Sequence, residues 1–192
     1  LAPFIERHVP WFSPSWRRLC MPVQKLDVAR YVWLYVRGGV YADLDVMASM
    51  DVSPWLTAGA DVVLPGVSDQ HAEETGCWRK TPHWRAGRCG AHIGNWWMAS
   101  VPGHTLWVEM LRYVADNVEM ICARNKLPKG NPHRPQWDVL ELTGPFALGR
   151  VVLAHLQAQP KSRIAFVPLP MPFVKSVGSA ASWKISPPPP PI

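Results

Sequence analysis

The 192-residue chain has no CxxC pair, no internal repeat and no continuous basic run. No apolar run reaches the length of a membrane span, because Arg, Asp or Gly interrupts each candidate within a dozen residues. Membrane association is therefore expected only through segments outside this chain. No signal peptide is present, and the chain begins at Leu1, so it reads as a fragment or processed piece of a longer product. Despite a formal net charge of +6, it carries no recognisable DNA- or RNA-binding motif. Nucleic acid is not expected as a partner. A basic patch for a nucleotide diphosphate and a generally basic surface without a partner both remain open. With only scattered cysteines, paired-ligand zinc modules are disfavoured. Cys77 and Cys89 bracket "CWRKTPHWRAGRC", which a disulfide would close in an oxidising lumen. Cys77, His83, Cys89 and His92 form an irregular zinc set, and free, partly buried thiols are the third reading.

What is present is apolar residues, at 48%, and eleven tryptophans. That composition excludes a disordered chain, and the length suits one domain with a real core. Trp33, Trp97 and Trp107 sit in apolar patterns and are expected in the core. Trp78 and Trp84 lie among Arg, Lys and His and are candidates for stacking on sugar rings.

Residues 1–22 hold four prolines and no clean period, and read as a loop-rich lead-in. From Gln24 to Arg37, Leu26, Ala29, Val32, Trp33 and Val36 recur at helical spacing and predict one apolar stripe. Gly38-Gly39 stops that helix. Val40 to Val46 then alternates, placing Tyr41, Asp43 and Asp45 on one face of a strand. Ser53-Pro54 predicts a short helix start, Asp61–Leu64 a strand, 67–90 a long loop and Ala91–Ser100 a strand. A helix is predicted from His104, read as its cap, to Arg124. A loop over 125–137, a turn at "LTGP" with a helix from Pro145, and two short extended segments follow. The expected organisation is a lead-in over 1–22, one α/β domain over 23–185 and a proline-rich tail over 186–192.

Two carboxylates on one face at a strand end can hold a divalent cation, directly or through water. Open α/β sheets place their ligand crevice at the carboxyl ends of strands. Mg²⁺ or Mn²⁺ there keeps some waters and takes further ligands from substrate phosphates, which suits a departing nucleotide diphosphate. An Asp-x-Asp alone is common by chance, so its surroundings carry the inference.

Those surroundings are specific. "KLDVARYVWLYVRGGVYADLDV" resembles the signature of the glycosyltransferase family 32 sugar-binding region, matching at Asp27, Arg30, Tyr31, Gly38, Gly39, Tyr41, Asp43 and Asp45. That family includes α-1,6-mannosyltransferases, inositol-phosphoceramide mannosyltransferases and α-1,4-galactosyltransferase-like enzymes. "IGNWWMASVPGHTLWVEML" and "LTGP" (Leu142–Pro145) are similar to its downstream blocks. The resemblance implies a single-domain α/β fold of the GT-A type, N-terminally truncated here, and a metal-dependent, retaining hexosyltransferase. Its expected cofactor is Mn²⁺ or Mg²⁺, its donor GDP-mannose or a UDP-hexose, and its acceptor a glycan or glycolipid. A Golgi or other secretory lumen is implied, with a membrane anchor elsewhere in the full-length protein.

On this resemblance Asp45 is the direct metal ligand, and Asp43 reaches the metal through water or contacts ribose. Asp27, Arg30, Tyr41, Asp43 and Asn95 would contact the donor; the alternatives are that Arg30 holds Asp43 in place or forms an ion pair with Asp27, and that Tyr41 packs in the core. Thr143, Gly144, Trp78 and Trp84 would face the acceptor. Where many members carry His before a Gly-Ser-Trp, "VGSAASWK" keeps Ser182 and Trp183 without a nearby His. The metal would then be held by aspartates, phosphate and water. The alternative reading is a non-catalytic carbohydrate-binding or scaffold domain of the same fold.

Overall fold

The helix before the glycine pair sets up the sheet. In the computed structural model, which describes residues 1–48, 59–65, 93–124, 135–167 and 174–176, that helix is α3, Pro22–Arg37. Pro22 occupies its first turn, where a missing N–H costs nothing. Gln24 Oε1 accepts the backbone N–H groups of Cys20 and Met21, each at 3.1 Å. The helix stops at Gly38, with φ 64° and ψ −154°. A Cβ there would lie 2.7 Å from Pro102 Cδ and from the Ser100 carbonyl oxygen. Glycine is required for both the backbone angle and the space.

β1 (Gly39–Ala42) follows, then β2 (Val46–Ala48), β3 (Val62–Pro65) and β4 (Trp97–Ser100). α4 (Thr105–Arg124), α5 (Pro135–Leu142), α6 (Pro145–Ala158), β5 (Ile164–Val167) and β6 (Val174–Ser176) complete the described elements. One sheet has the order β1-β4-β3-β5. β4 runs antiparallel to both β1 and β3, and β3 pairs parallel with β5. β2 and β6 form a separate antiparallel pair. β3 and β4 are buried at every position, as central strands covered on both faces should be, whereas β1 is a largely exposed edge.

The core lies between the sheet and α4, whose Leu106, Trp107, Met110, Leu111, Val114, Val118 and Ile121 share one buried face. Trp97 and Trp107 are buried as expected. His104 caps α4, accepting the Leu106 N–H at Nδ1, 3.2 Å away. The helix from Pro145 is also present. Asp138–Ala158 is long and apolar enough by composition to cross a membrane, but it comprises two helices broken at Thr143-Gly144, mostly packed in the core.

Several expectations are corrected. Residues 1–22 are not loop-rich: they form α1 (Ala2–His8), a 3₁₀ turn (Pro10–Phe12), α2 (Ser13–Arg18) and the start of α3. Each of these four elements has proline in its first turn, so the prolines start helices rather than break them. Ile5, Val9, Phe12, Trp16 and Leu19 join the main core.

The apolar stripe on α3 holds at Val32 and in part at Val36, but not at Leu26 or Trp33. Leu26 and Trp33 are 56% and 50% exposed, with Trp33 stacked on Phe4 at 5.7 Å. The inward face instead carries Gln24, Asp27, Val28, Arg30, Tyr31, Val32 and Leu34. Periodicity misleads where a helix turns a polar network inward. The Val40–Val46 strand is broken as well. β1 ends at Ala42, and the Asp43 carbonyl accepts the Val46 N–H at 3.0 Å, closing a turn that leaves Leu44 fully exposed. The strand expected over Ala91–Ser100 contracts to Trp97–Ser100, and α5 begins inside the expected 125–137 loop.

Cys20 is disulfide-bonded to Cys122, so the free-thiol reading fails for this pair. The bond ties the entrance of α3 to the end of α4 across 102 residues of sequence. The Ser53-Pro54 helix start, the 67–90 loop with Trp78 and Trp84, the Cys77–Cys89 pairing, the zinc alternative, Ser182–Trp183 and the proline-rich tail lie outside the described residues.

Candidate active site at the end of β1

Four segments converge where β1 ends and β4 begins: one face of α3, the turn after β1, the lead into β4, and the α5–α6 junction. The backbone closes first, with the Asp43 N–H donating to the Trp96 carbonyl at 2.8 Å. This position, at the carboxyl end of an α/β strand, is where the sequence placed the ligand crevice.

Arg30 is the hub. Its Nη1 donates to the Asn95 carbonyl at 2.7 Å and lies 3.1 Å from Asp43 Oδ1. Its Nη2 lies 3.1 Å from Asp27 Oδ1, one turn back on α3. The guanidinium also covers the Tyr41 ring, 4.6 Å from its centroid. Its Nε–H is buried without a hydrogen-bond partner in the protein. One cation thus links a buried carboxylate, Asp27, to one that is 31% exposed, Asp43. The planar fork of arginine can do this, whereas the single ammonium of lysine cannot make the same set of contacts.

Around this pair the polar groups are closely matched. The Tyr41 hydroxyl donates to Asp43 Oδ1 at 2.5 Å. Asn95 Nδ2 donates to Asp27 Oδ1 at 3.1 Å and to the Tyr31 hydroxyl at 3.2 Å. Thr143 Oγ1 donates to Asp27 Oδ2 at 2.8 Å, and the Tyr31 hydroxyl donates to the Thr143 carbonyl at 2.6 Å. The Tyr31 ring stacks on Trp107 at 5.8 Å.

Burial sets the electrostatics. It pushes the Asp27 carboxyl up from 3.8 to about 6, against the opposing pull of Arg30 and of the Thr143 and Asn95 hydrogen bonds. Burial likewise raises the hydroxyls of Tyr31 and Tyr41, the latter also through its bond to Asp43. Both remain proton donors at neutral pH.

The structure therefore brings Asp27, Arg30, Tyr41, Asp43, Asn95 and Thr143 into one network. Asp45 stands outside it, half-buried in the turn after Asp43. The two aspartates do not share a strand face, because the turn separates them. The acceptor contact expected of Thr143 is corrected: its side chain has no exposed surface and its hydroxyl binds Asp27. Gly144 is the N-cap of α6, and a Cβ there would lie 3.0 Å from Leu140 Cα and the Val139 carbonyl oxygen. Asn95 is likewise an internal tie, only 8% exposed. Tyr31 had no role from sequence, yet it joins Asn95 to Thr143. Its i+4 spacing from Asp27 on one helix was the available signal.

Among the described residues no three His, Cys, Asp or Glu side chains form a complete metal cage. The donor set nonetheless fits a hard divalent cation. Asp43 Oδ1 is occupied by Arg30 and Tyr41, which leaves Oδ2 and the Asp45 carboxylate as oxygen donors. A magnesium- or manganese-type ion takes one or two carboxylates and completes its shell with water and phosphate oxygens.

Residues 2–60 match the family described as glycosyltransferase sugar-binding region containing DXD motif. The initiation-specific alpha-1,6-mannosyltransferase of Schizosaccharomyces pombe is 25% identical over 172 residues, covering 83% of this chain and 38% of its own length. The inositol phosphoceramide mannosyltransferase 1 of the same yeast is 39% identical over 65 residues, 34% of this chain and 20% of its own. This chain thus spans well under half the length of these curated relatives. Among solved structures, the ligand-free glycosyltransferase domain of the YGT toxin superposes with a TM-score of 0.52 at 11% identity, over 86% of this chain and 50% of that one. Residues 2–60, with the Asp-x-Asp turn inside them, match the family described as glycosyltransferase sugar-binding region containing DXD motif, and the α/β fold around them is similar to that of the YGT toxin domain.

Proposed function

We propose that this chain is the catalytic part of a metal-dependent, retaining glycosyltransferase of the GT-A type. It moves a hexose from a nucleotide-diphosphate sugar to a glycan or glycolipid. The observation that carries this reading is Asp43, held at the open end of β1 by Arg30 and Tyr41 with one carboxylate oxygen left over. Asp45 and Asp43 would hold Mn²⁺ or Mg²⁺, which when bound neutralises charge on the departing diphosphate. Asp27, Tyr41 and Asn95 act mainly by fixing Arg30 and Asp43.

Mannose is the favoured hexose and GDP-mannose the favoured donor, because the two relatives compared are named as mannosyltransferases. Galactose from a UDP donor is the alternative. The Cys20–Cys122 disulfide supports placement in an oxidising compartment, as in the Golgi or another secretory lumen, with any anchor outside this chain.

Calorimetric titration of GDP and UDP into the full-length protein, with and without Mn²⁺, tests the reading. Metal-dependent nucleotide binding is expected. Its absence for both nucleotides would sink the enzyme reading, and carbohydrate binding without nucleotide binding would favour the non-catalytic alternative.

A further inference from the structure

We propose that Thr143 is a positioning residue: from the α5–α6 junction it holds Asp27, and through Asp27 the Arg30 guanidinium, in register with Asp43. The proposal rests on the enzyme reading above for its kinetic consequences, but not for its geometry.

Asp27 Oδ1 is shared by Arg30 and Asn95, while Oδ2 is held by the Thr143 hydroxyl. That hydroxyl therefore fixes the plane of the carboxylate, and the plane fixes where Nη2 of Arg30 must lie. Nη1 of the same rigid group then falls against Asp43 Oδ1 and the Asn95 carbonyl. Thr143 itself is well anchored. Its N–H and that of Gly144 both donate to the Val139 carbonyl, at 3.0 and 2.8 Å. Its own carbonyl accepts from Tyr31. Gly144, beside it, lies so close to the backbone of Val139 and Leu140 that an added Cβ would sit 3.0 Å from them. A contact 116 residues apart in sequence thus reaches Asp43 through one carboxylate and one guanidinium. A Val side chain nearly matches Thr in shape but lacks the hydroxyl, so it leaves Asp27 Oδ2 without its donor while opening little space.

The test compares Thr143→Val, Thr143→Ser, Arg30→Lys and Thr143→Val/Arg30→Lys in the full-length protein. Two readouts are used: kcat and KM for the donor, and the Arg30 Nε–H resonance by NMR. Thr143→Val is expected to lower kcat by about 10-fold or more with donor KM within about 2-fold, since misplacement at an active site costs rate. Thr143→Ser should recover most of that rate. In the Arg30→Lys background Thr143→Val should add less than about 2-fold, because residues acting through one group are non-additive. The Arg30 resonance should be sharp in the wild type and Thr143→Ser, and broadened in Thr143→Val.

A Thr143→Val variant with wild-type kcat and an unchanged resonance overturns the proposal. So does a loss that Thr143→Ser fails to recover, or one that multiplies in full with Arg30→Lys. Should the Val variant not fold, Thr143→Ala takes its place in both readouts. Should the wild type turn over no donor, the enzyme reading fails, and the resonance alone still decides whether Thr143 holds Arg30.

Discussion

Replacing Arg30 with methionine is expected to destabilise the chain by about 3 kcal/mol at pH 7, within the range of roughly 3–5 for breaking a buried ion pair. Methionine keeps most of the side-chain volume, so the cost is electrostatic rather than a cavity. In the folded protein the guanidinium is 9% exposed and faces Asp27, itself 5% exposed, at 3.1 Å. Without it, Asp27 keeps only the Thr143 and Asn95 hydrogen bonds. Two features hold the cost to the lower end. Asp43 is 31% exposed and can be solvated in place of its lost partner. Asp27, already pushed up to about 6, would rise further and take up a proton rather than stay charged. The loss should therefore shrink between pH 7 and pH 5. The second variant, Arg30→Met with Asp27→Asn, removes both buried charges and should recover at least half the loss. Urea unfolding followed by circular dichroism measures each difference. A change below about 1 kcal/mol for Arg30→Met would refute the reasoning, since exposed pairs are worth that little. So would a double variant no more stable than the single one.

Three further outcomes are expected. The carboxyl of Asp27 goes from 3.8 to about 6 through burial, so the folded state holds its proton more tightly than the unfolded chain. Its contribution is full below pH ~3.8 and is lost as pH rises through about 6, a fall on the order of 3 kcal/mol. The stability of the wild type minus that of Asp27→Asn should decline over that window, and a flat or rising difference contradicts the account. Gly38→Ala should cost at least about 2 kcal/mol, combining positive-φ strain with a steric clash. Gly39→Ala, where φ is 88° but no atom lies within 4 Å of the added Cβ, should cost clearly less in the same denaturation series. Cys20→Ala/Cys122→Ala should lose up to about 4–5 kcal/mol, the chain-entropy estimate for a loop of that length. An unchanged melting temperature would show that the bond contributes nothing.

Local signals in the sequence described some of this molecule well. The α4 face repeats strictly at helical spacing, and its start and end lie within a residue of expectation. Gly38 and the Thr-Gly-Pro turn mark real boundaries, because each is tied to a backbone requirement that a short window displays. The candidate site residues were legible as a set, since Asp27, Arg30, Tyr41 and Asp43 stand in one register along α3, β1 and the turn after it. Their partnerships were legible only in part: the pairing of Arg30 with Asp43 or Asp27 was expected, and the ties through Asn95, Tyr31 and Thr143 were not. Thr143 meets Asp27 across 116 residues, and only tertiary packing shows that its hydroxyl points inward. The α3 stripe failed in part for a related reason: Asp27 and Arg30 pair with each other, and Asn95 and Thr143 tie in Asp27 and Tyr31, so these polar groups can be buried, which leaves Leu26 and Trp33 outside. The prolines of the first 22 residues misled because composition cannot tell a helix start from a loop.

The central claim is metal-dependent use of a nucleotide sugar at the Asp43–Asp45 turn. Its most direct test is a donor-hydrolysis screen of the full-length protein with GDP-mannose, UDP-galactose, UDP-glucose and UDP-N-acetylglucosamine. The screen is run with chelator, with Mn²⁺ restored, and with Asp45→Ala. The expected result is turnover of one donor, GDP-mannose first. That turnover should be lost with chelator, regained with Mn²⁺ and abolished in a folded Asp45→Ala variant. Turnover that survives both the chelator and Asp45→Ala, or no turnover of any donor, would contradict it.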